Sequence, residues 1–233
     1  MDTSADKHAA GERLTAYLQD ARRLRASRAE SARFAETTKL KAWQADRLAR
    51  THADLLADPR YGPAASFFLS DLYGPADFTA RDGEIARVVP LLVRMLPVRA
   101  LDTLGDALRM DALSESLDDD VTAALCRAGR IDSIDDDAYA AAYRACGRSA
   151  DRELQIALTN EIGVALDRLT RMPMLGATLH LMKIPAEMAG LGALQSFLQR
   201  GFDAFRHMRG AEHFLSAINE RETRLMHDWL QSG

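Results

Sequence analysis

Five of the six histidines have side chains that could ligate iron, zinc or haem. They are His52, His180, His207, His213 and His227. A carboxylate di-iron bundle carries Glu-x-x-His on paired helices, and neither that pattern nor His-x-x-x-His occurs in the sequence. The acidic runs also lack the alternating oxygen ligands, glycine and closing glutamate of a calcium loop. The sequence therefore predicts no metal site and no cofactor.

A charged pair interrupts the apolar stripe of the last helical segment. The stripe passes from Ile218 to Leu225, and the positions three and four residues after Ile218 are Arg221 and Glu222. A buried charge without a partner costs several kcal/mol, so a partner must exist. We expect Arg81–Asp82 to supply it, in a network that holds two distant segments together or, as the less favoured alternative, forms a binding site.

Aromatic residues surround one Gly-Pro turn, and they suggest a second candidate site. Phe67, Phe68, Tyr73 and Phe78 could line a pocket for an apolar ligand, and His180 is a possible axial haem ligand nearby. Aromatic residues at helical spacing are more often core residues, and His180 is more simply a core histidine bonded to a carbonyl. No Gly-x-Ser-x-Gly sequence and no glycine-rich phosphate loop occurs, so we expect no enzymatic activity.

The composition is that of a globular protein, with 233 residues, 47% hydrophobic and 27% charged. Cys126 and Cys146 are too few for a disulfide framework, and we expect both to be reduced. Prolines and charged residues interrupt the most apolar window, Met172–Leu194, so we expect a buried helical region and not a membrane span. The first residues lack the features of a targeting sequence, and we expect a cytoplasmic location.

The charge is unevenly distributed. The segment Arg22–Arg50 has nine basic and three acidic residues, a net charge of +6, whereas the whole chain has −4. Such a segment binds nucleic acid or docks on acidic parts of the same assembly. The second interpretation is favoured, because few aromatic residues interleave the basic ones and an acidic molecule repels a phosphate backbone. Nucleic-acid binding is therefore the less favoured alternative.

No proline or glycine interrupts Glu12–Asp58, which predicts one very long helix or two in line. Its two apolar stripes differ in phase, so we expect a kink near Thr37–Thr38 or a solvent-exposed middle, with the first part as a projecting arm that dimerises. Residues 1–58 would then form the long N-terminal helix and residues 59–233 a helical core domain.

Helical periodicity continues to the end of the chain, and no alternating strand pattern or fixed-period repeat is present. The acidic runs Asp118–Asp120 and Asp135–Asp137 are typical of positions just before a helix, where the helix dipole and capping favour carboxylates. Gly210 is predicted to end the helix that begins near Gly190 and Gly192.

Several blocks of sequence resemble a known family. They are FFLSDLYGPADFTARD at residues 67–82, PLLVRMLP at 90–97, ALSESLD at 112–118, and GLGALQSFLQRGFDAFRHMRGAEHFLSAINERE at 190–222. They are similar to a family of all-helical bacterial proteins of uncharacterised activity, and the similarity extends from about Phe34 onward. The resemblance implies a helical fold and a bacterial cytosolic origin. It implies no catalytic residue.

These observations predict an all-α protein, a multi-helix bundle of about nine helices with a long N-terminal helix. We expect a non-enzymatic interaction or regulatory module that self-associates as a homodimer, with a protein partner that the sequence does not identify. The alternatives are a protein that binds a small apolar ligand or haem, and a nucleic-acid-associated factor that uses the basic N-terminal helix.

Overall fold

The computed structural model describes residues 4–29, 33–72, 89–90, 92–93, 96–188 and 192–231. Within these ranges the regular elements are helices and no strand is present, which confirms the all-α prediction. The α-helices are α1 (Ser4–Ala29), α2 (Phe34–Thr51), α3 (Ala53–Ala57), α4 (Gly62–Phe67), α5 (Val98–Arg127), α6 (Asp136–Ala145), α7 (Ser149–Thr170), α8 (Leu175–Leu181), α9 (Lys183–Met188), α10 (Gly192–Met208) and α11 (Glu212–Gln231). A π-helical turn, Phe68–Leu72, follows α4.

The N-terminal helical region is divided into separate helices. α1 ends at Ala29 and α2 begins at Phe34. Thr37 and Thr38, near which the sequence predicts a kink, lie inside α2, and the non-helical residue Arg33 stands four residues before Thr37. Each hydroxyl donates to the carbonyl oxygen four residues earlier, at 3.0 Å for Thr37 and 2.9 Å for Thr38. That bond satisfies the hydroxyl without interrupting the helix.

The apolar stripe of α1 is covered by the same chain. Ala10, Leu14 and Leu18 are buried together with Leu101 and Leu108 of α5. This stripe therefore does not project from the core as the predicted arm would. Its burial removes apolar surface from water, and that is the main force that holds α1 on α5. Self-association of the protein stays a prediction.

α5 lies at the centre of the bundle, where it contacts α1, α2, α6 and α7. It runs without interruption through Asp118–Asp120, so the prediction that this run precedes a helix is wrong. The carboxylates are accommodated individually: Asp118 accepts a hydrogen bond from Gln44 at 2.9 Å, and Asp120 accepts one from Arg148 at 2.7 Å. The capping prediction for the second acidic run is confirmed, since Asp135 accepts the Ala138 backbone N–H at 2.8 Å.

A second core joins α3, α4, α10 and α11 around Phe205 and Phe214. α7 packs against this core closely at Gly163, where an added Cβ would lie 2.3 Å from a methyl carbon of Leu215. Gly210 follows α10 with φ of 124°, as predicted for a helix terminator. The α1–α5 core and this second core both contain residues from either side of the predicted domain boundary at residue 58, for example Leu55 with Phe214 in the second core.

Candidate functional site

The C-terminal helix carries a buried carboxylate that binds the N-terminal region. Glu222 of α11 accepts two hydrogen bonds from Arg47 Nη1 of α2, each 2.7 Å long. Its Oε1 also lies 2.9 Å from Nε2 of His52, the residue between α2 and α3. Because a carboxylate only accepts hydrogen bonds, Nε2 carries the proton of this bond. The three side chains are mostly buried, with 17%, 11% and 8% of their surface exposed.

The surroundings of Glu222 keep it ionised. Burial alone would raise the pKa of this carboxyl, but the hydrogen bond from His52 and the charge of Arg47 together outweigh burial, and the pKa is lowered. The network therefore stabilises the ionised form of Glu222 relative to the protonated form. Two polar atoms of the network, Arg47 Nε and His52 Nδ1, are buried and have no hydrogen-bond partner among the residues that the structure describes.

The neighbouring arginine makes a separate ion pair. Arg221 binds Asp54 of α3 through a planar fork, with Nη1 2.6 Å from Oδ1 and Nη2 2.7 Å from Oδ2, and donates to the Thr51 carbonyl oxygen at 3.1 Å. The hydrogen bond from Arg221 holds the pKa of Asp54 well below its ordinary value. This pair is more exposed than Glu222, so solvent screens it more strongly.

The structure describes only one half of the predicted ionic network, the half that contains Arg221 and Glu222. Arg221 and Glu222 both have charged partners, and these partners lie on α2 and α3 and in the turn between them. Arg81 and Asp82, the predicted partners, lie outside the described residues. Their part in the network stays a prediction.

Aromatic rings pack beside the Glu222 network. The ring centroids of Trp43 and Tyr139 are 4.5 Å apart, and those of Tyr139 and Trp229 are 5.0 Å apart. The Arg47 guanidinium lies over the Trp229 ring, 5.3 Å from its centroid. The cluster thereby joins α2, α6 and α11, and it holds Arg47 between an anion and an aromatic face.

A cavity of about 150 Å³ adjoins this network, and we name it the polar cavity for the charged side chains in its otherwise mostly apolar wall. Its wall includes Arg47, His52, Asp118, Arg152, Gln155 and Glu222. Arg152 of α7 is only 6% exposed, and its guanidinium lies 4.5 Å from the centroid of the Tyr143 ring. Its Nη1 donates to Gln155 at 3.2 Å, whereas its Nη2 is buried and has no hydrogen-bond partner in the described part of the chain. A buried guanidinium without a carboxylate partner among the described residues is unusual.

A second cavity, of about 160 Å³, is almost entirely apolar. Phe67 and Phe68, two of the predicted pocket residues, line it together with Phe202 and Phe205 of α10. Tyr73 and Phe78 lie outside the described residues. His180 is exposed on α8 and is not part of the described lining. The structure thus brings Phe67 and Phe68 together and leaves His180 apart from them.

Large apolar side chains are exposed in one short region of the chain. We define the apolar surface as Met172, Met174, Leu181, Ile184 and Met188, whose exposed fractions are 37%, 78%, 76%, 68% and 86%. α8 and α9 bury Leu179 and Ala186 instead. The predicted burial of Met172–Leu194 is therefore wrong for these five residues: Met172 and Met174 lie before α8, and only part of each short helix faces the core.

The basic residues of α2 bind acidic groups of the same chain. Lys39 pairs with Asp132, Lys41 with Glu115, Arg47 with Glu222, and Arg50 with Asp136. For these four residues the contacts agree with the favoured interpretation, in which the basic segment docks on acidic parts of the same assembly. Nucleic-acid binding by the segment stays a prediction.

Two of the charged residues in the polar cavity were missed by sequence reasoning. The acidic run Asp118–Asp120 predicts a position just before a helix for Asp118, whereas Asp118 lies within α5. Arg152 lies in the first turns of α7, where the helix dipole disfavours a cation. That unfavourable position is the signal that could have marked Arg152 as a residue of special role.

Within the described residues, no group of three His, Cys, Asp or Glu side chains could hold a metal ion. No helix in that part of the chain is both long and apolar enough to cross a membrane.

Comparison with known proteins identifies a family but no activity. The sequence has no significant match among curated proteins or solved structures. One family model matches residues 23–232, almost the whole chain, and its description is a domain of unknown function, DUF8198. The match covers both the ionic network and the apolar surface. The chain therefore belongs to the DUF8198 family.

Proposed function

We propose that the protein is a non-enzymatic helical interaction module that self-associates through the apolar surface. The observation that carries the proposal is the exposure of five large apolar side chains within residues 172–188. Single exposed apolar residues are normal, but a concentration of them marks an interaction surface. Four of the five are methionine or leucine, and flexible methionine side chains are common at surfaces that bind another protein.

A second copy of the chain is the occupant that the charges favour. Lys183 and Glu187 are both exposed and stand one helical turn apart on α9, on the same side of Ile184. In a twofold symmetric interface the same surface meets itself, so Lys183 of one copy can face Glu187 of the other. The apolar side chains beside them would then pack together. Such an interface is self-complementary in both charge and hydrophobicity.

Sedimentation velocity tests this proposal. We expect the wild-type protein to be a dimer and Ile184→Glu to be monomeric, because burying a carboxylate at the centre of an apolar interface is unfavourable. Phe34→Glu is the matched control, since Phe34 is 56% exposed on α2, outside the apolar surface. A wild-type protein that is monomeric at all concentrations tested would contradict the proposal.

Charge reversal tests the symmetric arrangement. Lys183→Glu and Glu187→Lys should each weaken the dimer, because each places like charges opposite one another. The double variant restores opposite charges and should recover the dimer. If the double variant dimerises more weakly than both single variants, the twofold pairing of Lys183 with Glu187 is excluded. A dimer that Ile184→Glu leaves intact would place the interface elsewhere.

Binding of a small apolar ligand is a second candidate function, and the apolar cavity favours it. The cavity presents Phe67, Phe68, Phe202 and Phe205 and almost no polar surface. Cavities of this character bind small apolar molecules such as benzene. Because His180 is not part of the described lining, a small hydrocarbon-like ligand is favoured over haem. Native mass spectrometry of the purified protein would show a retained ligand as added mass, and a visible absorption band would identify haem.

A further inference from the structure

The charged side chains of the polar cavity fall into two sets. Glu222 is matched by Arg47 and His52, which direct three hydrogen bonds to its two oxygens. Arg152 and Asp118 form the second set, and no ion pair satisfies either of them within the described part of the chain. Both are buried, with 6% and 7% of their surface exposed. Among the described residues, the cavity therefore presents one cation and one anion without an ion-pair partner.

Arg152 has more hydrogen-bonding capacity than the protein uses. A guanidinium has five N–H donors in a fixed plane. Within the described ranges, the Arg152 side chain donates one hydrogen bond, to Gln155, and its Nη2 has no partner. Gln155 in turn donates to Ser114 at 2.7 Å. Contact with the Tyr143 ring and this bonded chain fix the orientation of Arg152 beside the cavity, where its positive charge favours a carboxylate.

Asp118 likewise has unused capacity on α5. From the part of the chain that the structure describes, its side chain accepts one hydrogen bond, from Gln44 at 2.9 Å, although an ionised carboxylate can accept about four. Ser114 stands one helical turn before Asp118 and is bonded to Gln155, so α5 and α7 present these groups to the same cavity. An ammonium group would form the strongest additional hydrogen bond with the Asp118 carboxylate, because that bond would be charge-assisted.

We propose that the polar cavity binds a small zwitterion of the amino-acid class, with its carboxylate on Arg152 and its ammonium group on Asp118. A zwitterion leaves the charge balance of the cavity unchanged, whereas a simple anion or cation would leave one buried charge unmatched. The volume of about 150 Å³ suits a molecule as small as glycine or alanine. This site is independent of self-association through the apolar surface.

Calorimetry and thermal unfolding with four compounds test this inference. The probes are glycine and L-alanine, with acetate and methylamine as single-charge controls. We expect an amino acid to raise the melting temperature and to bind at concentrations up to about 10 mM, and neither control to do so. Water or an adventitious molecule as the sole occupant would give no shift with any probe, and that result would overturn the proposal.

Variants assign each charge of the ligand to its partner. Arg152→Gln and Asp118→Asn should each weaken amino-acid binding by about tenfold or more, since each removes a charge-assisted contact. Arg171→Gln is the control, because Arg171 is an exposed arginine outside the cavity. Acetate binding as tightly as alanine, or alanine binding unchanged in both cavity variants, would contradict the proposal.

Folding of the variants is checked first by circular dichroism. If Arg152→Gln does not fold, Arg152→Lys replaces it, because lysine keeps the positive charge but lacks the planar fork. We expect weaker alanine binding for this variant too. Unchanged affinity in Arg152→Lys together with unchanged affinity in Asp118→Asn would overturn the assignment.

Discussion

The Glu222→Gln substitution tests the energetic weight of the buried ionic network. Glutamine keeps the shape of the side chain and one carbonyl oxygen, but it leaves the charge of Arg47 without an anion. Removing one partner of a buried ion pair costs about 3–5 kcal/mol. Because Glu222 is 17% exposed and glutamine still accepts one hydrogen bond, we expect the lower end, a loss of about 3 kcal/mol in the free energy of unfolding. For a protein of this size, the melting temperature would fall by roughly 6–12 °C.

Asp54→Asn is the matched control, because it removes the ion pair of the adjacent residue on α11. Asp54 is 61% exposed and Arg221 is 30% exposed. Exposed pairs contribute about 1 kcal/mol or less. Urea unfolding at neutral pH measures both variants, with an unchanged slope showing that the surface exposed on unfolding is the same. Equal losses in the two variants would refute the reasoning, and so would a loss below about 1 kcal/mol for Glu222→Gln.

The pH dependence has a definite sign. The folded-state pKa of Glu222 is lowered from its ordinary value of 4.5, so the folded protein holds the proton less tightly than the unfolded chain. Its stabilisation is fully present above that ordinary value and is lost as the pH falls through the lower folded-state pKa. The difference in stability between wild type and Glu222→Gln should therefore be constant near neutral pH and should shrink in acid. A difference that grows in acid would contradict the assignment.

Three further predictions concern the bundle itself. Gly163→Ala should lower the unfolding free energy by about 1 kcal/mol, because overpacking against Leu215 outweighs the better helix propensity of alanine. An unchanged urea midpoint would show that the Leu215 side chain adopts another rotamer without a loss of stability. Asp135→Ala should cost about 1 kcal/mol by removing the cap on α6, whereas Asp137→Ala should cost less than half as much. Burial raises the pKa of the Cys146 thiol, so its alkylation near pH 8 should be slower than that of a small free thiol, and equal rates would contradict its burial.

The helical class was predictable because apolar residues recur at helical spacing along nearly the whole chain. Local signals also located single features, such as the cap at Asp135 and the terminating Gly210. The continuity of α5 through Asp118–Asp120 was not predictable. It depends on Gln44 and Arg148, which accommodate the carboxylates from other helices.

The candidate site was predictable only in part. An interrupted stripe marked Arg221 and Glu222 as residues that need partners, and both have them. The identity of those partners depends on long-range packing: Arg47 and Glu222 are 175 residues apart in sequence. No local pattern connects α2 to α11 over that separation. The polar cavity arises in the same way, because its walls come from helices that meet only in the folded chain.

The aromatic cluster gives the protein a built-in optical reporter. Trp43 and Trp229 are the only tryptophans in the sequence, and both contact Tyr139. Intrinsic tryptophan fluorescence therefore monitors the assembly of α2, α6 and α11 and is insensitive to the packing of α1 on α5. Far-ultraviolet circular dichroism monitors all helices together. If the two signals change at different temperatures, the α1–α5 part of the bundle unfolds as a separate cooperative unit.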